Sequence, residues 1–142
     1  MKKKLKQSIG FKVNIAANLL NTAFNQELQI YNIAIEQRAT LEIIESKENV
    51  TQTEIAQILG KNKTTISRTL KTLEKKGLIK KEEVDKRTYN IKLTKDGEDV
   101  LEKSSETVQK FREKITSNLS KDEINHLSIS LDKVINLLNE TK

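Results

Sequence analysis

Only two residues, Lys61 and Asn62, separate two helix-forming runs near the middle of this chain, and that short connection constrains the fold more than any other feature. Thr51-Gln52-Thr53-Glu54 has the form of a capping box. The Thr51 hydroxyl can accept from the Glu54 backbone N–H, and the Glu54 carboxylate can reach back to Thr51. The run that follows carries Ile55, Ile58 and Leu59 and stops at Gly60, a residue suited to the left-handed conformation that ends helices. Asn62 then stands where an N-cap belongs, and the second helix extends to about Lys76 before Gly77. Two helices joined this tightly predict a helix-turn-helix.

The segments on either side complete a recognisable order. Leu78 to Val84 and Thr88 to Leu93 read as two strands, the second alternating Tyr89, Ile91 and Leu93 with Thr88, Asn90 and Lys92. Upstream, Glu36 to Ser46 carries Leu41, Ile43 and Ile44 and predicts a core helix, preceded by a long helix from Leu5 to Leu28. In that first helix Ile9, Val13, Ala16, Leu20 and Ala23 recur at spacings of 4, 3, 4 and 3. Downstream, Thr94 caps a helix carrying Leu101, Val108, Phe111 and Ile115. Ser120-Lys121-Asp122-Glu123 is a second capping box. It opens a last helix in which Ile124, Leu127, Leu131, Val134 and Leu138 are spaced by 3, 4, 3 and 4. The expected fold is mainly α with a small β-hairpin wing: a winged helix-turn-helix plus long flanking helices.

Charge is distributed unevenly along this order. The chain has 26 Lys and Arg against 20 Asp and Glu, a net charge of +6. Residues 47–95 hold thirteen of the cations and six of the carboxylates, a local charge of +7, so the remainder is slightly acidic. Concentrated cations on one segment suit a polyanion, because neutralising phosphates releases counterions. In the second helix Ile66, Leu70 and Leu73 share one face and should pack on the preceding helix. The opposite face then presents Thr64, Ser67, Arg68, Lys71 and Lys75, with Thr65 and Thr72 at its margin. Short hydroxyls can approach base edges, Arg pairs bidentately with guanine, and Lys meets guanine or phosphate. The residues expected to read DNA are Asn62, Lys63, Thr64, Thr65, Ser67, Arg68 and Lys71. At the wing tip, Asp85, Lys86 and Arg87 form a second contact. There Arg suits a narrow minor groove, and Asp85 is expected to orient Arg87 through an ion pair.

The stretch from Thr51 to Gly97, TQTEIAQILGKNKTTISRTLKTLEKKGLIKKEEVDKRTYNIKLTKDG, resembles the multiple-antibiotic-resistance regulator (MarR) family. The likeness lies in the capped helix, the Thr-Ile-Ser-Arg recognition helix, the Leu-Glu-Lys-Lys-Gly-Leu-Ile transition, the Asp-x-Arg wing and the Leu-Thr-x-x-Gly return. The flanking helices match in number and order. The resemblance implies a homodimeric transcriptional regulator, a repressor, on a pseudo-palindromic double-stranded DNA operator. Recognition helices would enter successive major grooves, and wings the flanking minor grooves. It also implies release by a small aromatic or lipophilic effector. Family members that sense oxidants use a cysteine near the N-terminus; this sequence has none.

The apolar stripes of the first and last helices argue separately for a dimer. A lone winged helix would bury only one side of them, whereas two copies can complete a shared core. The dimerisation residues expected are Ile9, Val13, Ala16 and Leu20 with Ile124, Leu127, Leu131, Val134 and Leu138. On this reading residues 1–34 form an N-terminal dimerisation helix, 35–95 the DNA-binding domain and 96–142 the C-terminal dimerisation helices, in one intertwined unit.

Composition removes several alternatives. Without cysteine there are no disulfides and no thiolate metal sites, which suits a reducing cytoplasm. The lysine-rich start is followed by no apolar signal core, and no run of about 18 apolar residues could span a membrane. His126, the only histidine, reads as a helix-surface residue, and no metal or cofactor is expected. No nucleophile–base pair or glycine-rich phosphate loop suggests an enzyme. Phe11, Phe24, Tyr31 and Phe111 could line an effector cavity, although core packing is the commoner use of such residues. Two competing readings are a winged-helix module that binds protein instead of DNA, and a basic protein of membrane surfaces.

Overall fold

A computed structural model describes residues 2–140. The elements run α1 (Lys3–Gln7), α2 (Ile9–Leu28), a single 3-10 turn (Gln29–Tyr31), α3 (Ile35–Ser46), α4 (Gln52–Leu59) and α5 (Lys63–Lys75). They continue with β1 (Ile79–Asp85), β2 (Thr88–Leu93), α6 (Lys95–Ile115) and α7 (Lys121–Glu140). The expected first helix is broken: Ser8 is extended and its hydroxyl caps α2 by accepting from the Phe11 N–H at 3.4 Å. Among the described residues no helix is long and apolar enough to cross a membrane. The backbone forms two compact units, one ending at Val108 and the other beginning at Gln109.

In the first unit the core gathers around α3, α4, α5 and the base of the hairpin. Leu28, Leu41, Val50, Ile55, Ile66, Leu70 and Leu73 are fully buried, with Ile44, Ile79 and Ile91 nearly so. The α3 N-terminus is capped by residues on two elements. The Ile35 N–H donates to Asn25 Oδ1 on α2 at 2.8 Å, and the Ala34 N–H donates to Gln37 Oε1 at 3.0 Å. Alanine at the cap position offers no acceptor, so only the returning half of a capping box forms.

A charged side chain lies inside this unit. Arg38 on α3 is only 4% exposed, and its guanidinium meets α6. Nε donates to Ser104 Oγ at 2.8 Å, Nη2 to the Leu101 carbonyl at 3.1 Å, and Nη1 to the Glu42 carboxylate. A buried guanidinium needs its N–H groups satisfied, and this geometry supplies three acceptors while tying α3 to α6.

The hairpin is antiparallel, with Ile79 opposite Leu93, Lys81 opposite Ile91 and Glu83 opposite Tyr89. Its expected alternation holds at the base, where Ile91 is buried, and fades toward the tip, where Tyr89 is exposed. The base is closed by Thr94 and Gly97. Thr94 donates its hydroxyl to the Gly77 carbonyl at 2.6 Å and accepts from the Gly97 N–H at 3.1 Å. A Cβ on Gly97 would lie 2.2 Å from the Leu78 carbonyl oxygen, so only glycine allows α6 to start this close to β1.

In the second unit Ser120 and Glu123 cap α7 reciprocally. The Glu123 N–H donates to Ser120 Oγ at 3.1 Å, and the Ser120 N–H donates to Glu123 Oε1 at 3.0 Å. Phe111 is buried, and His126 is exposed on α7.

Candidate nucleic-acid interface

The turn between α4 and α5 is built from local signals. The Thr51 hydroxyl accepts from the Glu54 N–H and meets the Glu54 carboxylate, both at 3.2 Å. At the other end of α4, Gly60 has φ 64°. The Lys61 N–H reaches back to the Ala56 carbonyl at 3.0 Å and the Gly60 N–H to the Gln57 carbonyl at 3.3 Å. This pair of bonds is the Schellman arrangement, which turns the chain sharply once a left-handed residue is available. Asn62 Oδ1 then accepts from the Thr65 N–H at 2.8 Å and starts α5. Gln52, the first residue of α4, donates its amide to the Lys63 carbonyl at 3.2 Å and ties the two helix starts together.

With Ile66, Leu70 and Leu73 fully buried, the rotation of α5 about its axis is fixed. Thr64, Arg68, Lys71 and Lys75 form an exposed stripe at helical spacing. Asn62 and Lys63 are exposed as well, whereas Thr65 and Ser67 are half-buried at the margins. Asn62 spends its carbonyl oxygen on the cap, so only its amide N–H₂ faces outward chemistry. Of the expected reading residues, Thr64, Arg68 and Lys71 share this exposed face, with Thr65 and Ser67 flanking it.

At the wing tip a side chain bonds the backbone of the turn. The Asp85 carboxylate accepts from the backbone N–H of Arg87 at 2.9 Å. Asp85 thus shapes the turn, and Arg87 is exposed. Two-residue hairpin turns usually need positive φ, yet neither Lys86 nor Arg87 has it. The register shifts between Glu83 and Asp85 instead, so Val84 is an extra residue in β1 that supplies the bend.

Ion pairing sorts the cations of residues 47–95. Lys47 pairs with Glu54, Lys61 with Glu36, and both Lys80 and Lys92 with Glu82. Lys76 donates to the Asn32 carbonyl and to Gln37 Oε1. The remaining eight, Lys63, Arg68, Lys71, Lys75, Lys81, Lys86, Arg87 and Lys95, are exposed and engage no side chain among the described residues. They lie on α5, the wing and the start of α6. Lys81, absent from the sequence-derived set, lines a cleft of about 210 Å³ with Arg87, Tyr89 and the first turn of α4, including Gln52 and Thr53. Nothing in the sequence singles out Lys81, because its place beside α4 depends on the hairpin register.

Comparison with known proteins fits this geometry. Residues 31–88 match the model of the MarR family. The HTH-type transcriptional regulator MgrA of Staphylococcus aureus is 32% identical over 141 residues, covering 97% of this chain and 95% of MgrA. The chain belongs to the MarR family. As a member it is a helix-turn-helix transcriptional regulator. Two solved structures share the fold. S. aureus MepR in a DNA complex superposes with a TM-score of 0.83 at 24% identity, covering 94% of this chain and 98% of MepR. CouR from Rhodococcus jostii RHA1 bound to p-coumaroyl-CoA gives 0.82 at 19% identity, covering 94% and 96%.

Phe24 is buried on α2, Phe11 is half-buried, and Tyr31 donates to or accepts from Thr107 Oγ1 at 2.8 Å beside a polar cleft of about 290 Å³.

Proposed function

We propose that the protein binds an inverted-repeat operator as a homodimer, with α5 of each copy in the major groove and each wing in the adjacent minor groove. The observation that carries this reading is the set of eight exposed, unengaged cations on α5, the wing and the start of α6. A single head offers few base contacts, and two heads about one helical turn (~34 Å) apart double them. The apolar faces of α2 and α7 support the pairing. Ile9 is 65% exposed in the single chain, Leu127 50% and Leu138 59%. Val13 and Val134 are exposed, while Leu20, Ile124 and Leu131 are half-buried. A second copy covering these faces would remove them from water. The protein acts in the cytoplasm as a repressor without catalytic activity of its own, and a small aromatic or lipophilic effector releases it from DNA.

Selection of bound fragments from the source genome tests this reading. It predicts recovery of an inverted repeat. On that repeat Arg68→Ala and Lys71→Ala should each lose about 1–3 kcal/mol at particular base pairs. Arg87→Ala should weaken binding evenly, most at AT-rich flanks. Unchanged affinity in all three variants would place the reading surface elsewhere.

A further inference from the structure

Glu36 belongs to α3, not to the reading head, yet its carboxylate touches both the turn and the inner side of α5. Oε1 accepts from the Thr69 hydroxyl at 3.1 Å, and Oε2 stands 3.8 Å from Lys61 Nζ. Thr69 directly follows Arg68 and lies one turn after Thr65, so it sits beside the base-facing stripe without belonging to it. Its single hydroxyl proton has two acceptors at the same distance: Glu36 Oε1, and the Thr65 carbonyl at 3.1 Å. Only one can hold it at a time. Given to the Thr65 carbonyl, the proton stays within α5. Given to Glu36, it ties α5 to α3.

Glu36 is itself held in place. It occupies the first turn of α3, where the helix dipole favours a carboxylate. Asn25 of α2 caps that same turn, and the fully buried Thr40 donates its hydroxyl to the Glu36 carbonyl oxygen at 2.8 Å. We propose that Glu36 is a positioning residue for sequence discrimination: through Thr69 and Lys61 it fixes how deeply, and at what rotation, α5 presents Arg68 and Lys71. This deepens the operator-binding reading above. Phosphate contacts tolerate a small shift of the helix, whereas bidentate base contacts do not. Loss of Glu36 therefore lowers specificity and leaves general DNA affinity intact. Freeing Lys61 from its carboxylate adds a cation and raises general affinity slightly.

The test compares wild type, Glu36→Ala, Glu36→Gln, Thr69→Val and the Glu36→Ala/Thr69→Val double variant. Each is titrated with a genomic duplex selected by the wild type and with a scrambled duplex of equal length. Glu36→Ala and Thr69→Val should each cut the selected-to-scrambled affinity ratio about three- to tenfold. The double variant should lose no more than the larger single loss, since both remove one contact. Glu36→Gln keeps an acceptor for Thr69 and should retain most of the ratio. Affinity for the scrambled duplex should hold or rise. An unchanged ratio in Glu36→Ala would overturn the proposal, as would additive losses or a parallel fall on both duplexes. Amide exchange on the free protein needs no DNA. Thr69→Val should speed exchange in residues 62–71 without doing so in α3, and unchanged exchange there would overturn the proposal even if no duplex were ever recognised.

Discussion

Glu54 closes the cap of α4 and also accepts from Lys47 Nζ at 2.9 Å. That hydrogen bond, with the Lys47 charge and the Thr51 contacts, holds its carboxyl below the usual value of 4.5. A carboxylate with a depressed folded-state pKa contributes stability above its unfolded pKa and loses it as pH falls through the folded one. Glu54→Gln should therefore lower the melting temperature at neutral pH, and the gap from wild type should close as pH drops below about 4.5. A gap independent of pH between 3 and 7 would mean that the carboxylate charge does not support the cap. At this scale the sequence was most informative where partners are neighbours. The caps at Thr51, Asn62 and Ser120 lie three residues from the N–H groups they serve. Asn25 capping α3 from ten residues away, and Arg38 reaching Ser104 across 66, depend on how the helices pack and leave no local trace.

Among the elements, the wing depends on a joint that lies outside it. Thr94 and Gly97 hold the start of α6 against Gly77 and Leu78, so β1 leaves α5 in a fixed direction. Gly97→Ala must push the Leu78 carbonyl aside, at a cost of about 1–3 kcal/mol, readable as a reduced urea midpoint with an unchanged slope. A neutral result would show that the joint yields easily. The Leu-Thr-x-x-Gly pattern marked this place in the sequence, but the close approach that requires glycine became visible only with the backbone. The same holds for the tip. Lys86 and Arg87 lack the glycine or asparagine that announces a tight hairpin turn, and the extra residue at Val84 does that work from within the strand. In the first helix a continuous apolar stripe suggested one long segment, whereas Ser8 satisfies the N–H of Phe11 and starts α2 afresh.

For the whole molecule, the exposed apolar area on α7 exceeds the five-residue stripe. Ile129, Ile135 and Leu137 are also exposed, so the face wraps further around the helix than a 3.5-residue repeat implies. Soluble monomers seldom leave so much contiguous apolar surface in water. Leu127→Lys or Leu131→Lys should weaken self-association and operator binding together, measured by sedimentation and DNA titration. A monomeric variant with full operator affinity would break the link between pairing and reading. Charge and pairing then meet in one quantity: on the proposed pairing, two copies would present two sets of eight unengaged cations to a duplex. The affinity of the wild-type protein for its selected inverted-repeat duplex, followed from about 50 to 200 mM salt, tests that most directly. The account predicts a linear fall of log affinity against log salt, losing about a thousandfold or more across the range. A flat response, or no binding at the lowest salt by the folded protein without effector, would contradict it.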